Sequence, residues 1–153
     1  MEFLKTVLVA FLLGGLIALG STYQPPGKLE IAFNNYSFED VLEEGILKHK
    51  PDPSYKWLVI NITVRNNTSN DIRLSWITDK FQFVANNGNT YDMQLVVSNI
   101  PGELPTLLPP KDQRTGDIYF HVPEGIDVNT GRLIFHMYGE KSRTGSLDKL
   151  PQK

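Results

Sequence analysis

The chain has 153 residues, with 15 basic side chains against 17 acidic ones for a net charge of −2, and it contains no cysteine. That length holds one domain of ordinary size and leaves no room for a second. The charges are mixed, with no basic stripe to track phosphates, which argues against a nucleic-acid partner; the missing cysteines exclude disulfides, thiolate metal sites, a thiol nucleophile and a lipidated-cysteine anchor.

Met1 to Lys5 is a short basic start, and Thr6 to Leu19 is an uninterrupted apolar run. This pattern reads as an export signal, with Ala18 and Gly20 as the small residues before a cut that would leave Ser21 at the mature terminus. The alternative is an uncleaved membrane anchor, although a spanning helix wants about 20 apolar residues and this run is shorter, with Gly14 and Gly15 in its middle. Either reading of residues 1–20 places the remainder outside the cytoplasm, secreted or on the extracytoplasmic face of the cell membrane. Residues 21–27 (STYQPPG) form a spacer, stiffened by Pro25 and Pro26.

Lys28 to Phe38 reads as a first strand, because Leu29, Ile31 and Phe33 alternate with Glu30 and Ala32. Glu39 to Lys48 spaces Val41, Leu42, Ile46 and Leu47 in a way that predicts a one- or two-turn helix, interrupted by Gly45. His49 to Ser54 holds two prolines and ends that helix. Tyr55 to Asn66 then carries Leu58, Ile60, Ile62 and Val64 on one side and Trp57, Val59, Asn61, Thr63 and Arg65 on the other. It is a central strand with one wholly apolar face.

After the polar turn Asn66–Asp71, Ile72, Leu74 and Trp76 alternate in one short strand, and Phe81, Phe83 and Ala85 in the next. Asn86-Asn87-Gly88-Asn89 predicts a tight hairpin, with both Asn and Gly tolerating positive φ, and Thr90 to Val97 is its return strand. Asn99 to Gln113 contains four prolines and reads as an irregular crossing. Thr115 to Val122 and Arg132 to Tyr138 are the last two strands, joined by the loop PEGIDVNTG. The expected architecture over residues 28–139 is an all-β, immunoglobulin-like antiparallel β-sandwich of about seven or eight strands. Trp57 and Trp76 are core candidates, and the polar tail 140–153 is expected to fray.

Three blocks carry a family resemblance: YKWLVINITVRNNTSNDI, DKFQFVANNGNTYD, and LLPPKDQRTGDIYFHVPEG with Phe120, His121, Val122 and Pro123 at its end. Together they resemble a small secreted domain family of unknown function, grouped with the immunoprotective extracellular, immunoglobulin-like proteins of bacteria and archaea. The resemblance spans Leu29 to Tyr138 and departs at Pro110-Lys111, where the family commonly has a glycine beside an acidic residue. It implies an exported sandwich and carries over no functional residue.

Pairing the last two strands as a hairpin, with Phe120 opposite Phe135, sets Tyr119 opposite His136 and His121 opposite Ile134. Tyr119, His121, Ile134, His136 and Tyr138 would then share an outer face, a candidate patch for a protein or glycan partner at the cell surface. The same register offers a rival: a copper or zinc site built on His121 and His136, although zinc wants three or four ligands and Met137 points away. No catalytic signature is present: Gly-x-Ser-x-Gly, His-Glu-x-x-His and phosphate-cradling glycine runs are all missing, so no cofactor and no enzyme activity are expected. Glu43-Glu44 reads as solvated charge, and Asp79 with Asp92 lacks the regular spacing of a calcium loop. Asn35, Asn61, Asn66 and Asn67 each begin a glycosylation acceptor triplet, and Asn66 or Asn67, within a turn, is the expected acceptor in a cell that glycosylates, with Asn61 inside its strand left unmodified. The reading that results is an exported, non-catalytic binding module at the cell envelope, held to the membrane through its N-terminal segment if that segment is retained.

Overall fold

The computed structural model describes residues 28–44, 46–75, 79–94 and 107–153. The signal or anchor expected over 1–20, the spacer 21–27, Trp76 and most of the proline-rich crossing lie outside them. Eleven strands form among the described residues: β1 (Leu29–Glu39), β2 (Leu42–Glu44), β3 (Leu47–His49), β4 (Tyr55–Asn66), β5 (Ile72–Arg73), β6 (Lys80–Val84), β7 (Thr90–Gln94), β8 (Leu107–Leu108), β9 (Gln113–Pro123), β10 (Arg132–His136) and β11 (Arg143–Ser146). Seven of them pair antiparallel in the order β1-β4-β9-β7-β6-β10-β11. This is the all-β antiparallel sandwich that the patterning predicts.

The strand β4 organises one layer. Its inward residues Leu58, Ile60, Ile62 and Val64 are all buried, and its two neighbours are β1 and β9. The second layer is β6-β10-β11, whose inward Phe81, Phe83, Leu133 and Phe135 join the same core. At the corner stands β7, which pairs with β6 on one side and contributes Met93 and Gln94 to β9 on the other. Across the core Phe83 meets Phe120 with ring centroids 6.2 Å apart. The far edge is drawn together by side chains: Arg143 of β11 donates to the Leu29 carbonyl of β1, and Glu140 bridges Arg143 at 2.7 Å and Lys28 at 3.3 Å.

Three expectations are corrected. The segment after β1 is a small hairpin, β2-β3, and not a helix. Only Leu42 of its apolar residues is buried, while Ile46 is 96% and Leu47 54% exposed. A helix this short must repay a costly nucleus by burying a face. Here the exchange of β2 and β3 hydrogen bonds and the Glu43–Lys48 ion pair take its place.

The last two expected strands do not pair. The connection after β9 crosses between layers, so that β9 lies beside β4 and β10 beside β6. Val128 in that connection is buried and Ile126 packs against the core, which turns the loop into an inter-layer plug.

The tail does not fray. It forms β11, buries Leu147 and Leu150, and runs on beside β1, where the Tyr36 amide donates to the Pro151 carbonyl and the Lys153 amide to the Tyr36 carbonyl. In the β6-β7 hairpin only Gly88 takes a positive φ, of 86°; Asn87 does not. The Gly88 amide bonds the Ala85 carbonyl and the Ala85 amide the Asn89 carbonyl, so the expected tight hairpin is present, closed by a three-residue connection with a left-handed glycine.

Candidate functional site

Residues directly opposite in an antiparallel pair share a face, so the ladders read off the outer surface of the β1-β4-β9 layer row by row. One end holds Glu39, Trp57 and His121; next come Ser37, Val59 and Tyr119; then Asn35, Asn61 and Asp117; and beyond them Thr63 with Thr115. A bulge in β1 enriches the third row. Phe33 pairs with Ile62 and Asn35 with Asn61, leaving Asn34 as the extra residue. Phe33 and Tyr36 both stay buried, so Asn34 and Asn35 both lie between them half-exposed on the outer side. Bulges re-aim side chains in this way without breaking the inward register that follows.

The bulge creates a chain of side-chain hydrogen bonds. Asn34 Nδ2 donates to Asn61 Oδ1 at 2.9 Å and to Thr63 Oγ1 at 3.0 Å. Asn61 Nδ2 in turn donates to Asp117 Oδ1 at 2.6 Å, and Thr63 and Thr115 join their hydroxyls at 2.8 Å. The Asn61 amide is thereby fixed with its oxygen toward β1 and its nitrogen toward β9. Beside this line lies an open groove of about 500 Å³, bordered by Asn35, Ser37, Leu42, Asn61, Asp117 and Tyr119. A volume of that size is in the range of small-ligand sites.

The aromatic end is built differently. Tyr55 stacks on His121 with centroids 4.6 Å apart and an interplanar angle of 25°, and Trp57 leans on the same imidazole at 5.4 Å. Trp57 Nε1 donates to the His49 carbonyl at 2.9 Å, and the Asp52 amide donates to His121 Nε2 at 3.1 Å. The proline-containing segment before β4 is folded onto this end by those two bonds. Trp57 is therefore a half-buried outer-face residue, which corrects its expected place in the core.

The patch read from the sequence divides between the two sides of the sandwich. Tyr119 and His121 stand on β9 in the first layer, Tyr119 buried at 5% exposure. Ile134 and His136 stand on β10 in the second, with Tyr138 just past its end and 85% exposed. His136 uses both ring nitrogens, meeting Ser142 Oγ at 2.8 Å through Nδ1 and Gln82 Oε1 at 2.7 Å through Nε2. His121 and His136 thus belong to different layers and cannot hold one ion. Among the described residues no three His, Cys, Asp or Glu side chains gather into a metal shell.

The remaining candidates are structural. Asp79 is buried and accepts the Ser75 and Tyr138 amides at 2.7 Å each, so it ties the end of β10 to the start of β6. Asp92 bonds Gln82 at 2.7 Å, apart from Asp79. Asn66 is wholly buried, and its amide is shared among the carbonyls of Asn70, Leu108 and Pro109 at 2.7 to 3.0 Å. A glycan on that nitrogen is incompatible with the fold, which corrects the expectation for Asn66. Asn67 remains partly exposed, with Nδ2 3.4 Å from Glu30. Sequence reasoning missed Asn34 and Asp117 and named Asn35 only as a glycosylation triplet; the break in β1 alternation, where two asparagines stand between Phe33 and Tyr36, was the signal for Asn34 and Asn35, and nothing comparable marks Asp117 on β9.

Residues 26–143 match a family described as a domain of unknown function, DUF4352. The chain belongs to that family. No curated protein matches it by sequence. Among solved structures it is similar to a conserved hypothetical protein of Bacillus anthracis, at 15% identity and a TM-score of 0.56 over 80% of this chain and 91% of that one. An uncharacterised β-sandwich protein of Clostridium difficile superposes with a TM-score of 0.54 at 13% identity, over 83% of this DUF4352 chain and 90% of its own. A candidate lipoprotein of Bacillus subtilis gives a TM-score of 0.58 at 16% identity over 84% of this chain, which spans 38% of that longer one. At these identities the likeness establishes the sandwich.

Proposed function

We propose that this DUF4352 chain is an exported, non-catalytic binding module of the cell envelope, and that the outer face of the β1-β4-β9 layer is its binding surface. The observation that carries the proposal is the open groove of about 500 Å³ beside a prearranged line of amide, hydroxyl and carboxylate groups. The apolar N-terminal run supports export, as does the likeness to a candidate lipoprotein. The resemblance to immunoprotective extracellular, immunoglobulin-like proteins belongs to the same reading. Placing polar side chains on a paired sheet fixes them more tightly than loops would, as a binding site requires.

The test is sedimentation of the purified full-length protein with detergent-washed cell envelopes, with intact mass recorded to decide the fate of residues 1–20. Ser37→Trp, which fills the groove, is expected to stay in the supernatant, whereas Tyr138→Ala on the other layer is expected to pellet like the parent. Equal pelleting of both variants, or no pelleting of the parent, refutes the assignment of this face.

A further inference from the structure

Resting on that binding role, the geometry points to the ligand class: a neutral, polyhydroxylated chain, a glycan segment of the envelope, lying in the groove with Asp117 and Asn35 taking its hydroxyls. The groove is amphipathic. Leu42, Val59 and Tyr119 give it an apolar side, and Asn35, Asn61 and Asp117 a polar one. Sugar rings have the same division, with C–H faces and a rim of hydroxyls that each donate and accept. Amides both donate and accept, and a carboxylate only accepts, so this lining can serve hydroxyls in either role.

The line is also set before any ligand arrives. Asn34 holds Asn61, and Asn61 holds Asp117 through Oδ1, leaving Oδ2 unbonded among the described residues. Side chains already held in place lose little further freedom on binding, which favours a ligand that offers many weak hydrogen bonds.

The other occupants fit less well. A peptide adding as a strand needs an open main-chain edge, but β4 is paired on both sides by β1 and β9. The edge of β1 beside the groove is taken by the C-terminal segment at Tyr36. An anionic polymer would meet Glu39 and Asp117 with Lys153 as the single lining cation. The absence of a gathered ligand shell among the described residues argues against a metal ion.

The experiment is calorimetric titration of the full-length protein in detergent with four probes: the tetrasaccharides of β-1,4-linked glucose, β-1,4-linked N-acetylglucosamine and α-1,4-linked glucose, and tetragalacturonate as the anionic control. At least one neutral tetrasaccharide is expected to bind and tetragalacturonate to bind more weakly than it. Asp117→Ala is expected to weaken that binding at least about tenfold, Ser37→Trp to abolish it, and His136→Ala to leave it within about twofold. Thermal unfolding of each variant accompanies the titration. Should Asp117→Ala fail to fold, Ser37→Trp decides the matter, since it leaves the Asn34–Asn61–Asp117 line in place. Failure of all three neutral probes, tighter binding of tetragalacturonate, or unchanged binding by Ser37→Trp overturns the ligand class. If envelopes still retain the parent and release Ser37→Trp while no tetrasaccharide binds, the binding face stands and the glycan assignment falls; if envelopes retain neither, both fall.

Discussion

The two layers of the sandwich differ in strand length and in what their outer faces carry. In the first, β1, β4 and β9 run 11, 12 and 11 residues; in the second, β6, β10 and β11 run 5, 5 and 4. Both bury an apolar inner face, and the short layer compensates for its length with large rings, Phe81 stacking on Phe135 at 4.7 Å. On its outer side the short layer carries the small network of Gln82, Asp92, His136 and Ser142, and the long layer carries several rows. In the long layer a bulge, an amide line and an aromatic end lie along one continuous face. The contrast separates what holds this domain together from what it presents.

The largest test of that separation is Phe81→Ala. Phe81 is fully buried, and its truncation is expected to cost about 3–5 kcal/mol in urea unfolding. Val59→Ala, on the outer side of β4, is expected to cost less than about 1 kcal/mol. Comparable losses from the two would mean that the outer face is part of the core after all. Next comes Asn66→Asp, which keeps the shape but cannot donate to the three carbonyls that Asn66 serves; a loss of about 3 kcal/mol is expected, with the turn after β4 and the β5-β8 pair losing amide protection first.

Leu147→Ala probes the tail, where burial of Leu147 holds the chain after β11. We expect a loss of about 2–3 kcal/mol and faster hydrogen exchange at the Tyr36 amide, which pairs with Pro151. A variant as stable as the parent would show that the tail only rests on the sandwich.

The smallest effect is electrostatic. In the β2-β3 hairpin Lys48 lies 2.8 Å from Glu43, and its hydrogen bond first, then its charge, lowers the Glu43 pKa. The same contacts raise that of Lys48. A lowered carboxyl pKa adds stability above its ordinary range that is lost as pH falls through the folded value. A raised lysine pKa adds stability below its ordinary range that is lost as pH rises through the folded value. Both groups are fully exposed, so solvent screening leaves no measurable change in global stability. A titration followed by NMR should show Glu43 protonating below an ordinary glutamate, and Lys48→Ala should restore it.

Much of the fold was legible because strands with one buried face must alternate. Leu58 to Val64, Phe81 with Phe83, and Ile118 with Phe120 are all buried as their spacing requires. The site was legible only in fragments. Tyr119 and His121 were singled out and do lie along the long layer's outer face, but their expected partners Ile134, His136 and Tyr138 belong to the other layer. Alternation gives each residue a side of its own strand and says nothing about which strand lies next to it.

By itself, then, the sequence determined the class of fold, the inward residues of the long strands and the apolar N-terminal run, since each rests on periodicity or composition within a single segment. The tertiary structure alone decided that the chain after β9 crosses the core on Ile126 and Val128, that the tail closes against β1, and that Asn34, Asn61 and Asp117, drawn from three strands, meet in one line. Those outcomes depend on contacts between residues far apart in the chain, whose closure entropy is recovered only when all the layers pack at once.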